Sequence, residues 1–336
     1  MLPGLEPSTS VPSSDLERAQ TDGGKFAYQS YADNNWEIYV TNSDYGGNTW
    51  RLTYDGSPDL DPAFSPDMSR VVFASRRSGN YDLYRVNADG AGLVMLTNHG
   101  ATDSGAAWSP DGQRIAFQSN REGNQSDVYV MNADGGGVTR LTTQSGYDGE
   151  PAWSPDGTQI AFVSRRSTGN VDYYLYVMNA DGSNQHVLAA IPYTGNPSWS
   201  WDGKRILVDG LNADGWQRLY LVDALTGQTR SLDYFAGDSN VDVLSGSWGL
   251  NDQIHFTRTH YVYYNNVWYW DSMAVYSVAV DWPASVPWLR VGDRMGYPSW
   301  SNPDRLPPVS SVFSTATTFQ RRSEGGFLEA LSIDQG

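Results

Sequence analysis

Three aspartates return at one position of a repeating unit, and no other residues in the chain have spacing so suited to chemistry. Asp59, Asp103 and Asp148 each stand five residues before an aromatic residue, Phe64, Trp108 or Trp153. Arginines recur with them, because Arg77, Arg121 and Arg166 occupy the next loop of each unit. Acidic oxygens gathered at one channel rim suit a hard cation such as Ca²⁺, although none of these stretches has the spacing of a known cation loop. Ca²⁺ is therefore the one ion the set admits, and no other cofactor is expected. Each arginine is also followed about six residues on by Asp82, Asp127 or Asp172. Two expectations stand side by side: a structural Arg–Asp pair that stiffens each loop, or a charged ring that receives a partner.

Other reactive constellations are scarce. The chain has no cysteine, hence no disulfide, thiolate nucleophile or Cys metal site. Its four histidines, His99, His186, His255 and His260, lack a spacing such as His-Glu-x-x-His. There is no Gly-x-Ser-x-Gly elbow. A pair of carboxylates acting on a glycoside stays open, but turn carboxylates such as Asp111 and Asp156 are accounted for by hairpin geometry. A non-catalytic protein is the expectation.

Binding chemistry is richer. Between His260 and Asp271 the sequence reads as an extra hairpin turning at Asn265-Asn266. Strand alternation places Tyr261, Tyr263, Trp268 and Trp270 on one side, with Val262, Tyr264, Val267 and Tyr269 on the other. Both faces are apolar, so the hairpin folds over a channel mouth, buries itself in a partner protein, or stacks on sugar. Farther on, the Thr-rich stretch holding Val312, Phe313 and Phe319 is β-prone and suited to strand addition on a blade, its own or another molecule's.

What must position these residues is the repeat. Motif aromatics fall at Phe64, Trp108, Trp153, Trp199, Trp248 and Trp300, with steps of 44, 45, 46, 49 and 52 residues, close to one four-stranded propeller blade. Ser109-Pro110-Asp111-Gly112 and Ser154-Pro155-Asp156-Gly157 have the order of a type I turn, Ser first, Pro second and Gly fourth. Short β-prone runs follow, such as Ile115-Ala116-Phe117, then third strands such as Asp127 to Met131. Asn-Ala-Asp-Gly turns at 87–90, 132–135 and 179–182 lead into fourth strands. The motif tryptophans should pack between neighbouring blades.

This pattern resembles the TolB-like propeller family, whose blades carry Pro-x-Trp-Ser-Pro-Asp-Gly and a Tyr-containing third strand. The resemblance spans about residues 25 to 304 and frays at Trp201, Trp248 and Asn302. It implies a propeller preceded by an α/β domain and work in an envelope complex; here 24 residues precede the first strand. Read blade by blade, the chain is all-β: an N-terminal tail 1–24, a six-bladed β-propeller 25–304, and a C-terminal tail 305–336. The first blade begins at its second strand, Lys25 to Gln29, so Tyr297 to Ser301 is expected to supply its first, and N- and C-terminal strands then close one shared blade.

Composition narrows the partners. A formal charge of -16 disfavours nucleic acid, which needs a basic stripe. No run approaches the length of a membrane helix. Lys25 and Lys204 are the only lysines among 22 basic residues, and arginine favours bidentate interface pairing. The reading is a non-catalytic propeller that acts through protein contacts, an extracellular or cell-envelope subunit forming a homo-oligomer or polymer. A glycan-binding propeller and a polysaccharide-acting enzyme are the alternatives.

Overall fold

The computed structural model describes residues 25–30, 35–42, 49–123, 125–166, 173–192, 194–232, 241–248, 253–264, 267–279, 289–292 and 313–314. Among them every element is a β-strand, and the strands form six four-stranded antiparallel sheets. The first sheet contains β1 (Lys25–Ser30), β2 (Glu37–Asn42) and β3 (Thr49–Arg51). The second runs β4 (Asp59–Phe64), β5 (Arg70–Ser75), β6 (Asp82–Asn87) and β7 (Val94–Met95). The third runs β8 (Asp103–Trp108), β9 (Arg114–Ser119), β10 (Asp127–Asn132) and β11 (Thr139–Arg140). The fourth is β12 (Tyr147–Trp153), β13 (Gln159–Arg165), β14 (Tyr174–Asn179) and β15 (His186–Ala189). The fifth is β16 (Gly195–Trp199), β17 (Arg205–Leu211), β18 (Gln217–Asp223) and β19 (Thr229–Ser231). The sixth is β20 (Val241–Trp248), β21 (Gln253–Tyr264), β22 (Val267–Ala279) and β23 (Leu289–Gly292). A last strand, β24 (Phe313–Ser314), lies on the open edge of β1.

The turn chemistry read from sequence is what bends each first strand into its second. Ser109 donates its hydroxyl to Asp111 at 2.6 Å and accepts the Arg114 N–H at 2.9 Å, while Asp111 accepts the Gln113 N–H at 3.0 Å. Gly112 closes this turn at φ 68°, a left-handed conformation that costs a side chain little only in its absence. Ser154–Asp156 and Ser200–Asp202 repeat the contact. In the second sheet Met68 takes the glycine place at φ 58°.

The core lies between sheets. Trp108 is 2% exposed and packs with Ala63, Val72, Ala74 and Leu83 of the preceding sheet. Its indole N–H donates to the Ala63 carbonyl at 3.1 Å, and Trp199 does the same to Ala152. Alternation along β9 sends Ile115 and Phe117 into this layer and Ala116 into the layer shared with Trp153 and Phe162. The second strands β5, β9 and β13 each glue two neighbours in this way, which is why both of their faces are apolar. Outer strands are short, β7 and β11 having two residues each, and so leave little free edge.

Two differences from the sequence reading concern strands. The partner of β1 is β24, pairing Gln29 with Ser314 and Ser30 with Phe313, instead of Tyr297–Ser301, which lies outside the described residues. The aromatic segment of the sixth sheet is no separate insertion. It continues β21 and β22 as one long hairpin, paired from Gln253–Ala279 to Tyr264–Val267. Nothing breaks the two strands except a bulge at His260/Tyr261, because the whole run is β-prone and carries no Gly or Pro.

Candidate functional site

First strands of neighbouring sheets touch in succession, β4 to β8, β8 to β12, β12 to β16 and β16 to β20, and β4 also meets β1, the second strand of the first sheet. Each of β4, β8, β12, β16 and β20 carries a register break, at Leu60/Ala63, Ser104/Ala107, Gly149/Ala152, Gly195/Ser198 and Leu244/Ser247. The residue three before the motif aromatic is left-handed there: Asp61 (φ 51°), Gly105 (58°), Glu150 (52°) and Asn196 (48°). A bulge frees a backbone N–H from the ladder, and a buried N–H needs an acceptor.

A side chain from the preceding sheet supplies that acceptor each time. Gln29 accepts the Asp61 N–H at 2.8 Å, and the Asp61 carboxylate accepts that of Gly105. Gln118 accepts the Glu150 N–H at 3.1 Å, and Glu150 accepts that of Asn196 at 2.6 Å. Either the bulge residue itself or the second-strand residue beside it does this work. Leu60 and Gly149, just before Asp61 and Glu150, pair with Ala74 and Val163 on the second strand, whereas Ser104, just before the side-chain-free Gly105, pairs with Gln118. Asn196 passes its amide to Asp209 at 2.7 Å. Tyr147 adds its hydroxyl to Gln118 at 2.9 Å and packs edge-on to Tyr173.

This belt is electrostatically tense. Burial pushes the Asp61 carboxyl up to about 7, with Glu150 adding like charge and the Gly105 N–H pulling back. One Asp61 oxygen, Oδ1, is buried without a hydrogen-bond partner. Burial raises Glu150 too, against the Asn196 amide, and holds the Tyr147 phenol well above its ordinary range. Sequence reading missed the belt. Its visible trace was the recurring polar-residue–proline dipeptide at Asp61-Pro62, Glu150-Pro151 and Asn196-Pro197, since proline inside a strand marks a bulge.

The repeated aspartates and arginines are brought together directly. Arg77 meets Asp59 at 2.7 Å, Arg121 meets Asp103 at 2.9 Å, and Arg166 meets Asp148 at 2.6 Å. All three carboxylates are fully buried. Each guanidinium also lies over two rings of its sheet, 4.9 to 5.0 Å from the centroids of Tyr84, Tyr129 and Tyr176. The Arg–Asp pair expected six residues onward does not form in the second and third sheets. Asp82 and Asp127 instead hold threonines two residues past the fourth strands, Thr97 at 3.3 Å and Thr142 at 3.0 Å, and these threonines accept the Leu83 and Val128 amides. Asp127 takes Arg140 as its cation at 2.7 Å. The nearer arginine already has a first-strand carboxylate directly beneath it, and Asp172 lies outside the described residues. Among the described residues no group of three or more His, Asp or Glu side chains is placed to hold a metal ion.

The hairpin residues singled out from sequence sit together. Tyr261 pairs with Trp270, Val262 with Tyr269, Tyr263 with Trp268 and Tyr264 with Val267. Of the C-terminal trio, Phe313 lies in β24 opposite Ser30, while Val312 and Phe319 fall outside the described residues.

Known proteins share this architecture. The family description "TolB beta propeller domain" matches residues 18–250. A Tol-Pal system protein TolB from Xanthomonas campestris pv. campestris is 35% identical over 68 residues, 20% of this chain and 16% of that protein, so the match spans a small part of the relative. The crystal structure of TolB from Acinetobacter baumannii superposes with a TM-score of 0.63 at 20% identity, covering 80% of this chain and 65% of that one. An oligogalacturonate lyase in complex with manganese reaches a TM-score of 0.50 at 12% identity, covering 77% and 71%. Both structures share the fold, and an enzyme among them leaves activity undecided by fold. With its repeat, inter-sheet tryptophans and family match over most of its length, the chain belongs to the TolB beta-propeller domain family.

Proposed function

We propose that the protein is a six-bladed, non-catalytic propeller that works by holding other proteins, chiefly copies of itself, at the cell envelope or outside the cell. Support for the ring comes from six four-stranded sheets in sequence, with β24 on β1 acting as the latch. The envelope setting is what the family resemblance implies. The non-catalytic reading draws on the carboxylates: Asp59, Asp103 and Asp148 are spent on arginines, and Asp61 and Glu150 on backbone amides.

One observation carries the partner reading, namely the long β21–β22 hairpin. Its register pairs aromatic and branched apolar residues from Tyr261–Trp270 to Tyr264–Val267, and such residues dominate contact energetics. Among the described residues no other sheet has strands of 12 and 13 residues. Sedimentation velocity on the intact chain over a concentration series tests the idea. A concentration-dependent species of twice the monomer mass is the expected result, and a single monomer boundary at every concentration would remove self-association.

A further inference from the structure

We infer that the belt of acceptors along the bulged strands is a pH-responsive device in which two kinds of seam alternate. Where a carboxyl of one sheet accepts the bulge N–H of the next, the seam loosens as that carboxyl gives up its proton. Where a glutamine accepts it, the seam stays shut. Gln29 closes the first sheet onto the second and Gln118 the third onto the fourth, through the Asp61 and Glu150 N–H groups at 2.8 and 3.1 Å. Asp61 closes the second onto the third and Glu150 the fourth onto the fifth, through the Gly105 and Asn196 N–H groups. Glutamine and acid each recur after 89 residues, Gln29 to Gln118 and Asp61 to Glu150, so two sheets make one unit of the belt.

The surroundings of the two carboxyls oppose ionisation. Asp61 is 7% exposed and its Oδ1 has no hydrogen-bond partner. Within electrostatic reach of it are Glu150 and Tyr147 of β12, Tyr81 ahead of β6, and on its own strand Asp59, which Arg77 neutralises. Gln29 of β1 and Gly105 of β8 bring no charge. Glu150 shares its strand with Tyr147 and with Asp148, which Arg166 neutralises, while Gln118 of β9 and Asn196 of β16 are uncharged. Asp209 of β17 is held by the Asn196 amide at 2.7 Å. Burial, then the Glu150 charge, hold the Asp61 carboxyl up to about 7, and burial raises Glu150 against its bonds from Asn196 and Tyr147.

Opening a seam returns its carboxyl to water and to the ordinary range near ~4, so the closed seam is the better proton binder. For Asp61 that advantage is full below about pH 4 and is lost as pH rises through about 7. Gln29 and Gln118 have no proton to lose.

Amide exchange resolved to single residues by mass spectrometry, on the full-length protein from about pH 5 to 8 and corrected for intrinsic rates, reads all four seams in one molecule. Protection of the Gly105 and Asn196 amides should fall by about tenfold or more over that range, while the Asp61 and Glu150 amides keep theirs. Asp61→Asn should flatten Gly105 and leave Asn196 falling, and Glu150→Gln should do the reverse, since each variant keeps an acceptor oxygen. A loss shared equally by all four amides, as global destabilisation would give, overturns the alternation. So do Gly105 and Asn196 amides that hold their protection to pH 8, or a substitution that leaves its own seam's decline in place.

Discussion

Asp61 holds its carboxyl in a position that the chain tolerates only because a neighbouring amide needs it. Its folded proton affinity, about 7, is far above that of an exposed carboxyl in the unfolded chain. A raised acid makes the folded state the better proton binder, so stability is greatest where both states are protonated. It falls as pH rises from about 4 to about 7 and is flat above that. Asparagine keeps an oxygen for the Gly105 N–H without the charge, and Asn196 already occupies the equivalent left-handed position at φ 48°. Asp61→Asn should therefore be more stable than the parent at pH 8, by the order of a few kcal/mol, and should lose most of the decline between pH 4 and 7. Urea midpoints across that range decide it. An unchanged slope with a lower midpoint at pH 8 would mean that the carboxylate is favourable there. At this scale the sequence was half legible: Asp59, Asp103 and Asp148 stood out because they repeat, whereas Asp61, Gly105, Glu150 and Asn196 differ in type at one site and hid in their variety.

Elements inherit their rigidity from such pairs. Arg121 ties the loop after β9 to the start of β8 through Asp103, 18 residues earlier, and its guanidinium covers Phe117 and Tyr129. Removing the cation strands a buried carboxylate, which costs about 3–5 kcal/mol. Arg121→Met should thus lower the unfolding free energy from urea titration by that amount, and adding Asp103→Asn should recover part of it, a coupling that a double-mutant cycle reads directly. If the two changes simply add, the pair is not the link between these strands. Element types were readable because turn chemistry is local: Ser-Pro-Asp-Gly sets a φ-restricted turn wherever it occurs. Pairing partners were not, because which of two nearby aspartates an arginine meets depends on strand register, here decided by β8 lying beside β9 while Asp127 is taken by Arg140 and Thr142.

At the scale of the whole molecule, the ring proposed above requires a linear row of sheets to close on itself. Inter-sheet packing is nearest-neighbour, since Trp108 and Trp199 bond to the sheet before their own and Trp153 packs on Ala107 and Ala116 of the sheet before its own. A row built this way has two unpaired ends, and closure must recruit a strand from the far end of the chain, at a loop-closure cost that grows only slowly with length. The sequence announced this need, because β1 has the character of a second strand with none before it. It pointed to Tyr297–Ser301 on motif grounds, whereas β24 sits on β1 with only Gln29 and Ser30 engaged. Two backbone pairings are weak by themselves, so the latch should matter more for keeping the first and last sheets in one cooperative unit than for total stability. Ending the chain at residue 304 should then lower the melting temperature by several degrees, on the scale of about 2–4 °C per kcal/mol, and split a single calorimetric transition into two. Limited proteolysis should cut first within the first sheet, where β1 has lost its neighbour. A shortened chain that melts in one transition at the parental temperature would show that closure is made elsewhere, and the latch would have to be sought outside β24.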